Sequence, residues 1–282
     1  LEPTTGRLVC DGARMTLWQF PLQPADITIS HSGASGYVAA FLGDYHLLCP
    51  GDQLSEWMTM RELPVHGDPP VVWRSRTFRD SRSFAVTPDQ SVAVLARGTS
   101  IAMLRRTGTN QPVMVEARIK QAAVAIGVSR SGRRILMVDG NRVHLADPEQ
   151  VAPLKTYKTP GNGTRIAGKF AAFMKDDTRV VAVFNGAINT GQSESLTYCW
   201  DVKSGELVIG ITNYSRITAF AVSPDGKEFA IGTQDKRITI MNADLKPVRS
   251  FRAHDRAVSA LIYHPTLPLI ASGSYDLSIK FW

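Results

Sequence analysis

Ala253-His254-Asp255-Arg256-Ala257-Val258 runs on through Ser259-Ala260-Leu261-Ile262-Tyr263-His264-Pro265. The chain then closes on Leu269-Ile270-Ala271-Ser272-Gly273-Ser274-Tyr275-Asp276-Leu277-Ser278-Ile279-Lys280-Phe281-Trp282. This stretch reads as three short strands separated by turn chemistry. Val258 to Tyr263 is the first, with its turn around Pro265. Leu269 to Gly273 is nearly all apolar or small, as expected of a strand buried on both faces. Tyr275-Asp276 makes a tight turn into a third strand that ends at Trp282.

With this unit as template, the turn between first and second strands recurs along the whole chain. It falls at Pro3-Thr4-Thr5-Gly6, Gly43-Asp44-Tyr45, Pro88-Asp89-Gln90, Ser131-Gly132, Asp176-Asp177, Pro224-Asp225-Gly226 and Pro265. Successive turns are 40, 45, 43, 45, 48 and 41 residues apart. Four-stranded propeller blades repeat at about 40–45 residues, so seven turns predict seven blades. The third-strand aromatic recurs as Trp18, as Trp57 in Gln53-Leu54-Ser55-Glu56-Trp57, and as Trp200 followed by Asp201. Met103, Leu145 and Met241 stand near that place in the remaining units.

The C-terminal unit closely resembles a WD-repeat blade. In that family a His entering the blade, a Ser or Thr on the second strand, an Asp in the next turn and a Trp on the third strand hydrogen-bond to one another. The matching positions are His254, Ser272, Asp276 and Trp282. The resemblance implies a structural network rather than an acid–base pair at His254 and Asp276. Only this last unit is complete in its motif; the others are degenerate.

The expected fold is therefore all-β, a single domain over residues 1–282: a seven-bladed β-propeller of four-stranded antiparallel blades. Its ring is expected to be incomplete. From Pro265 to Trp282 and on from Leu1 to Pro3 there are only 20 positions. The outer strand of the last blade and the inner strand of the first are missing on this count. An uncovered strand edge invites aggregation, so upstream residues of a larger protein are expected to complete the ring.

Among 282 residues the formal net charge is +7, which suits an acidic partner. No Lys/Arg block marks a nucleic-acid tail. The densest basic stretch, Arg74-Ser75-Arg76-Thr77-Phe78-Arg79-Asp80-Ser81-Arg82, is broken by an acid. No apolar run reaches the roughly 18 residues of a membrane span. Cys10, Cys49 and Cys199 are too scattered for a disulfide framework or a metal pair, and a reducing compartment, the cytoplasm, is expected. Asn162-Gly163-Thr164 and Asn213-Tyr214-Ser215 match a glycosylation acceptor pattern that recurs by chance.

Catalytic signals are weak. Gly163-Thr164-Arg165-Ile166-Ala167-Gly168-Lys169 resembles a phosphate loop, but Phe170 replaces the hydroxyl residue and a strand follows where a helix is needed. Ser32 to Gly36 lacks the register of a nucleophile elbow. His46, His66, His144 and His264 show no ligand spacing. Neither catalysis, cofactor nor metal is expected.

What remains is surface. The resemblance places the partner platform on the face of the blade-entry loops and the turns between second and third strands. Tyr275, Arg256 and Tyr214 are expected there, with Gln234, Lys236 and Arg237 in the sixth unit and Arg76 and Arg79 entering the third. Tyr and Arg are enriched at interface hot spots. The stretch Asn185 to Ser195 reads as a long polar loop on the same face. The expected function is a protein-interaction scaffold; the alternative is a nucleic-acid-binding propeller, for which Trp73 and Phe78 are the aromatics near basic residues.

Overall fold

Alternate residues of a strand face opposite ways, so a strand apolar at every position needs a neighbour on both sides. Val180-Val181-Ala182-Val183-Phe184 is such a run, and all five side chains are buried. Val180, Ala182 and Phe184 enter a core shared with Leu136, Val143 and Tyr157. Val181 and Val183 enter a different one, shared with Ile217, Phe229 and Ile231. A stack of sheets satisfies both faces at once.

The computed structural model describes strands between residues 8 and 75. It further describes residues 83–105, 113–148, 153–160, 165–187, 193–213, 215–264 and 267–282. All regular elements among them are strands, arranged in seven antiparallel sheets in chain order. By their contacts the sheets form two compact units, residues 1–123 and 124–282.

The first unit holds three sheets. Sheet 1 is β1 (Leu8–Cys10), β2 (Arg14–Gln19) and β3 (Gln23–Ser30). Sheet 2 is β4 (Ala40–Leu42), β5 (His46–Pro50), β6 (Met58–Glu62) and β7 (Val71–Ser75). Sheet 3 is β8 (Ser83–Val86), β9 (Val92–Arg105) and β10 (Val113–Ala123). β9 is one run of 14 residues, yet Ala93 and Leu95 share a core with Ala102 and Leu104. Held straight, it would separate Ala93 from Leu104 by about 36 Å. It therefore doubles back at exposed Gly98, whose φ is 57°, and sheet 3 contains the equivalent of four strands.

The second unit holds four. Sheet 4 is β11 (Ala125–Val128), β12 (Ile135–Asp139), β13 (Arg142–Ala146) and β14 (Pro153–Lys158). Sheet 5 is β15 (Arg165–Met174), β16 (Arg179–Ala187), β17 (Ser193–Asp201) and β18 (Leu207–Asn213). Sheet 6 is β19 (Ile217–Val222), β20 (Glu228–Thr233), β21 (Arg237–Asn242) and β22 (Pro247–Arg252). Sheet 7 is β23 (Val258–Tyr263), β24 (Ile270–Ser274) and β25 (Ile279–Phe281). Each core lies between consecutive sheets. One joins sheets 4 and 5 around Trp200, a second joins 5 and 6, and a third joins 6 and 7 through Ala219, Ile238, Val258 and Ile270.

Four of the seven turns expected from the sequence, at Pro88, Ser131, Asp176 and Pro224, fall between the first two strands of their sheets; Pro3 to Gly6, Gly43 to Tyr45 and Pro265 lie outside the described residues. Sheets 1 and 7 have three described strands each, at the two places where a strand was expected to be missing. Gln53 to Trp57 lies outside the described residues; the third described strand of sheet 2 is Met58–Glu62. One reading needs correction. The supposed loop Asn185 to Ser195 is largely a longer hairpin: Asn185 pairs with Ser195, Gly186 with Glu194 and Ala187 with Ser193. Residues 188–192 lie outside the described residues. Met103, Leu145, Trp200 and Met241 sit on the expected strands, and Trp18 on β2. Cys199 is buried and unpaired, and burial pushes its thiol up to about 11. No helix among the described residues is long and apolar enough to cross a membrane.

Candidate interaction face

The loop entering sheet 7 and the turn between β24 and β25 are fastened together by side chains. Ser272 Oγ lies 2.7 Å from His254 Nε2, and the Trp282 indole donates its Nε1–H to the same oxygen at 2.8 Å. Indole can only donate. The Asp276 carboxylate can only accept, so His254 Nδ1–H donates to its Oδ2 at 2.9 Å, and Nε2 then accepts a hydrogen bond from the Ser272 hydroxyl. Asp276 also accepts the N–H of Asp255 (2.9 Å), the N–H of Ser278 (2.9 Å) and the Ser278 hydroxyl (2.6 Å). Led by the Ser278 hydroxyl, these donors hold the Asp276 carboxyl far below the usual carboxylate range.

Asp, His and Ser in this order have the connectivity of a nucleophile triad. Their setting is that of a clamp. His254 and Ser272 are each 1% exposed, and the Ser272 oxygen is already occupied by an indole. No substrate carbonyl reaches an oxygen so enclosed.

The clamp sets what lies above it. Ser274 Oγ donates to the carbonyls of Ala257 (2.9 Å) and Arg256 (3.1 Å), and the Tyr275 N–H donates to Ala257 O at 3.1 Å. The backbones of Arg256 and Tyr275 are thereby held side by side. Arg256 is exposed and Tyr275 is 63% exposed. Sheet 6 joins the same end. Its turn Gln234 to Lys236 is tied to its own entry loop by Gln234 N–H to Arg216 O (2.9 Å) and Asp235 N–H to Ser215 Oγ (3.2 Å). The Lys236 carbonyl accepts the N–H groups of Ala253 (2.9 Å) and His254 (3.3 Å), which links that turn to the entry of sheet 7.

Five of the expected partner residues are thus gathered at one end of sheets 6 and 7: Gln234, Lys236, Arg237, Arg256 and Tyr275. Tyr214, Arg76, Arg79 and Phe78 lie outside the described residues, as does the side chain of Trp73 on β7. One residue of this end escaped the sequence reading. Leu277 is 97% exposed with φ 65°, a left-handed backbone that costs a Leu about 1–2 kcal/mol. The available signal was a large apolar residue one place after a turn-forming Asp, where a polar residue or Gly is the usual choice. The cations Lys236, Arg237, Arg252 and Arg256 lie at this end, beside Asp235, Asp255 and Asp276.

A family model described as "WD domain, G-beta repeat" matches residues 245–282. The chain is 31% identical over 139 residues to a ribosome biogenesis protein BOP1 homolog of Dictyostelium discoideum, covering 48% of this chain and 15% of that protein. It is 40% identical over 68 residues to ribosome biogenesis protein ERB1 of Malassezia globosa, covering 23% and 8%. To human ribosome biogenesis protein BOP1 it is 38% identical over 69 residues, covering 24% and 9%. The matched stretch thus spans 15% or less of these relatives' length. Among solved structures, the β-propeller domain of Cps50 (Swd1) from Myceliophteria thermophila superimposes with a TM-score of 0.75 at 13% identity, over 100% of this chain and 95% of that domain. The fold is that of a β-propeller, and its C-terminal blade is a WD repeat.

Proposed function

We propose that this WD-repeat β-propeller is an interaction scaffold in ribosome assembly that holds a protein partner on the turn ends of sheets 6 and 7. The observation that carries this reading is the exposed Tyr275, Leu277 and Arg256 on backbone fixed from below by a buried hydrogen-bonded clamp. A rigid aromatic and an arginine on preordered turns lose little entropy on binding, which is where interface energy concentrates. Exposed Arg237 and Arg256 suit carboxylates on a partner surface. The assembly role rests on the names of the relatives. The compartment proposed with it is that of ribosome assembly, in place of the cytoplasm expected from the sequence.

Affinity purification of the tagged chain, followed by mass spectrometry, tests this reading. The wild type is expected to recover ribosome-assembly proteins and to keep them after nuclease treatment. The Tyr275→Ala, Arg256→Ala variant is expected to lose most of them. Equal recovery by both chains counts against the face. Recovery abolished by nuclease points instead to the nucleic-acid alternative.

A further inference from the structure

The opposite ends of the strands also make a concave surface. Between sheets 4 and 5 a cleft of about 600 Å³ is lined by Leu145 of β13, Leu154 and Lys155 of β14, and residues from three turns. Those turns bring Arg134, Asp177 and the pair Val202-Lys203. Leu145 and Val202 are buried and form its floor, while Leu154 is 58% exposed at the lip. The charges around it are not equally available. Asp177 accepts the Arg130 N–H with both oxygens, each at 3.1 Å. Asp201 accepts the Ser204 N–H at 2.9 Å and lies 3.6 Å from the Arg179 guanidinium. Lys155 Nζ donates to the carbonyls of Lys203 (2.6 Å) and Val202 (3.3 Å). Arg134 and Lys203 are exposed, and among the described residues their side chains have no hydrogen bond or ion pair.

The geometry points to a second binding site in this cleft, for an acidic linear peptide of a partner protein. An aliphatic side chain of the peptide rests on Leu145, Val202 and Leu154, and flanking carboxylates meet Arg134 and Lys203. The cavity lies within the roughly 300–1,000 Å³ of ordinary ligand sites. β14 is the outermost strand of its sheet. It offers backbone groups to an extended chain lying alongside, the mode of strand addition. An apolar floor favours a peptide over a nucleic-acid backbone, which has no aliphatic branch to fill it. Because the site lies at the other strand ends, it stands independently of the Tyr275 face.

The probe is a fluorescein-labelled peptide with one leucine between aspartates. Two control peptides replace the aspartates by lysine or the leucine by glycine. With the full chain, saturable anisotropy is expected for the first peptide alone, together with shifts in the Leu145 and Leu154 methyl resonances. Arg134→Glu with Lys203→Glu is expected to weaken binding about tenfold or more, and Leu154→Ser to weaken it too, with melting unchanged in both. The proposal is overturned by no saturable binding at millimolar peptide, by equal affinity for the lysine-flanked control, or by variants that bind like wild type.

Discussion

The Ser272 hydroxyl is the hinge of the last blade's clamp, since it receives a proton from Trp282 and gives its own to His254. Ser272→Ala strands the indole N–H and the imidazole Nε2 in a buried site. One stranded polar group costs about 1–3 kcal/mol, so a loss of about 2 kcal/mol or more is expected. Urea titration should show a lower midpoint at unchanged slope; a midpoint shift too small to resolve would mean the two groups find other partners. Asp276 makes the clamp sensitive to acid. Its folded-state pKa lies below the unfolded value, so its stabilisation is complete above about pH 4 and fades as pH falls below that. Asp276→Asn should therefore be less stable than wild type at neutral pH, and the difference should shrink below pH 4. A gap unchanged down to pH 2 would remove the carboxylate's charge as its source. All four members of the clamp were legible in the sequence, because its bonds need fixed residue types at fixed strand positions. Leu277 was not, because its left-handed backbone and full exposure are properties of the turn and not of the alternation pattern.

Among the elements, the turns between first and second strands repeat one construction. In three sheets the N–H of the fourth turn residue donates to the carbonyl of the first: Gln90 to Thr87, Gly132 to Ser129 and Gly226 to Ser223, at 2.8 to 2.9 Å. The donor residue has φ of 55°, 67° and 69° respectively. Glycine meets this need in two sheets, whereas sheet 3 uses Gln90, whose buried Oε1 has no partner. Gln90→Gly removes both the backbone strain and the unsatisfied amide. It is expected to raise stability by about 0.5–1 kcal/mol, the usual difference at a position suited to glycine. Thermal melting reads this directly, and a lower melting temperature would show that the Gln90 stem contributes packing that outweighs both. These turns were legible because Pro, Asp and Gly announce their backbone angles. The extended hairpin of sheet 5 was misread as loop because its polar residues are satisfied at long range. Ser195 Oγ donates to Asn185 Oδ1 at 2.5 Å and accepts the Ile217 N–H at 2.8 Å, while Asn185 Nδ2 donates to Ile217 O at 2.9 Å. Nothing adjacent in sequence signals that Ile217 of the next sheet will serve them.

At the scale of the molecule, the repeat period revealed how many sheets there are, but not what lies between them. The cleft of sheets 4 and 5 draws Arg134, Leu154, Asp177 and Lys203 from separate turns and strands, so no local pattern marks it. The same between-sheet logic governs stability in residues 124–282, where each core belongs to two neighbours and energy passes from sheet to sheet. Trp200 is the sharpest test. It is almost fully buried in the core of sheets 4 and 5, with its ring 5.9 Å from that of Tyr157 on β14 and 5.7 Å from that of Tyr198 beside it. Trp200→Ala leaves a large cavity and is expected to cost about 3–5 kcal/mol. Hydrogen exchange should then quicken in both β11–β14 and β15–β18, because the emptied core is common to them. β23–β25 should keep most of its protection, since its core with sheet 6 is separate. Loss confined to sheet 5 would mean that sheet 4 is held chiefly by its own strands. Simultaneous loss across β11–β25 would mean that the four sheets unfold as one unit and not by neighbours.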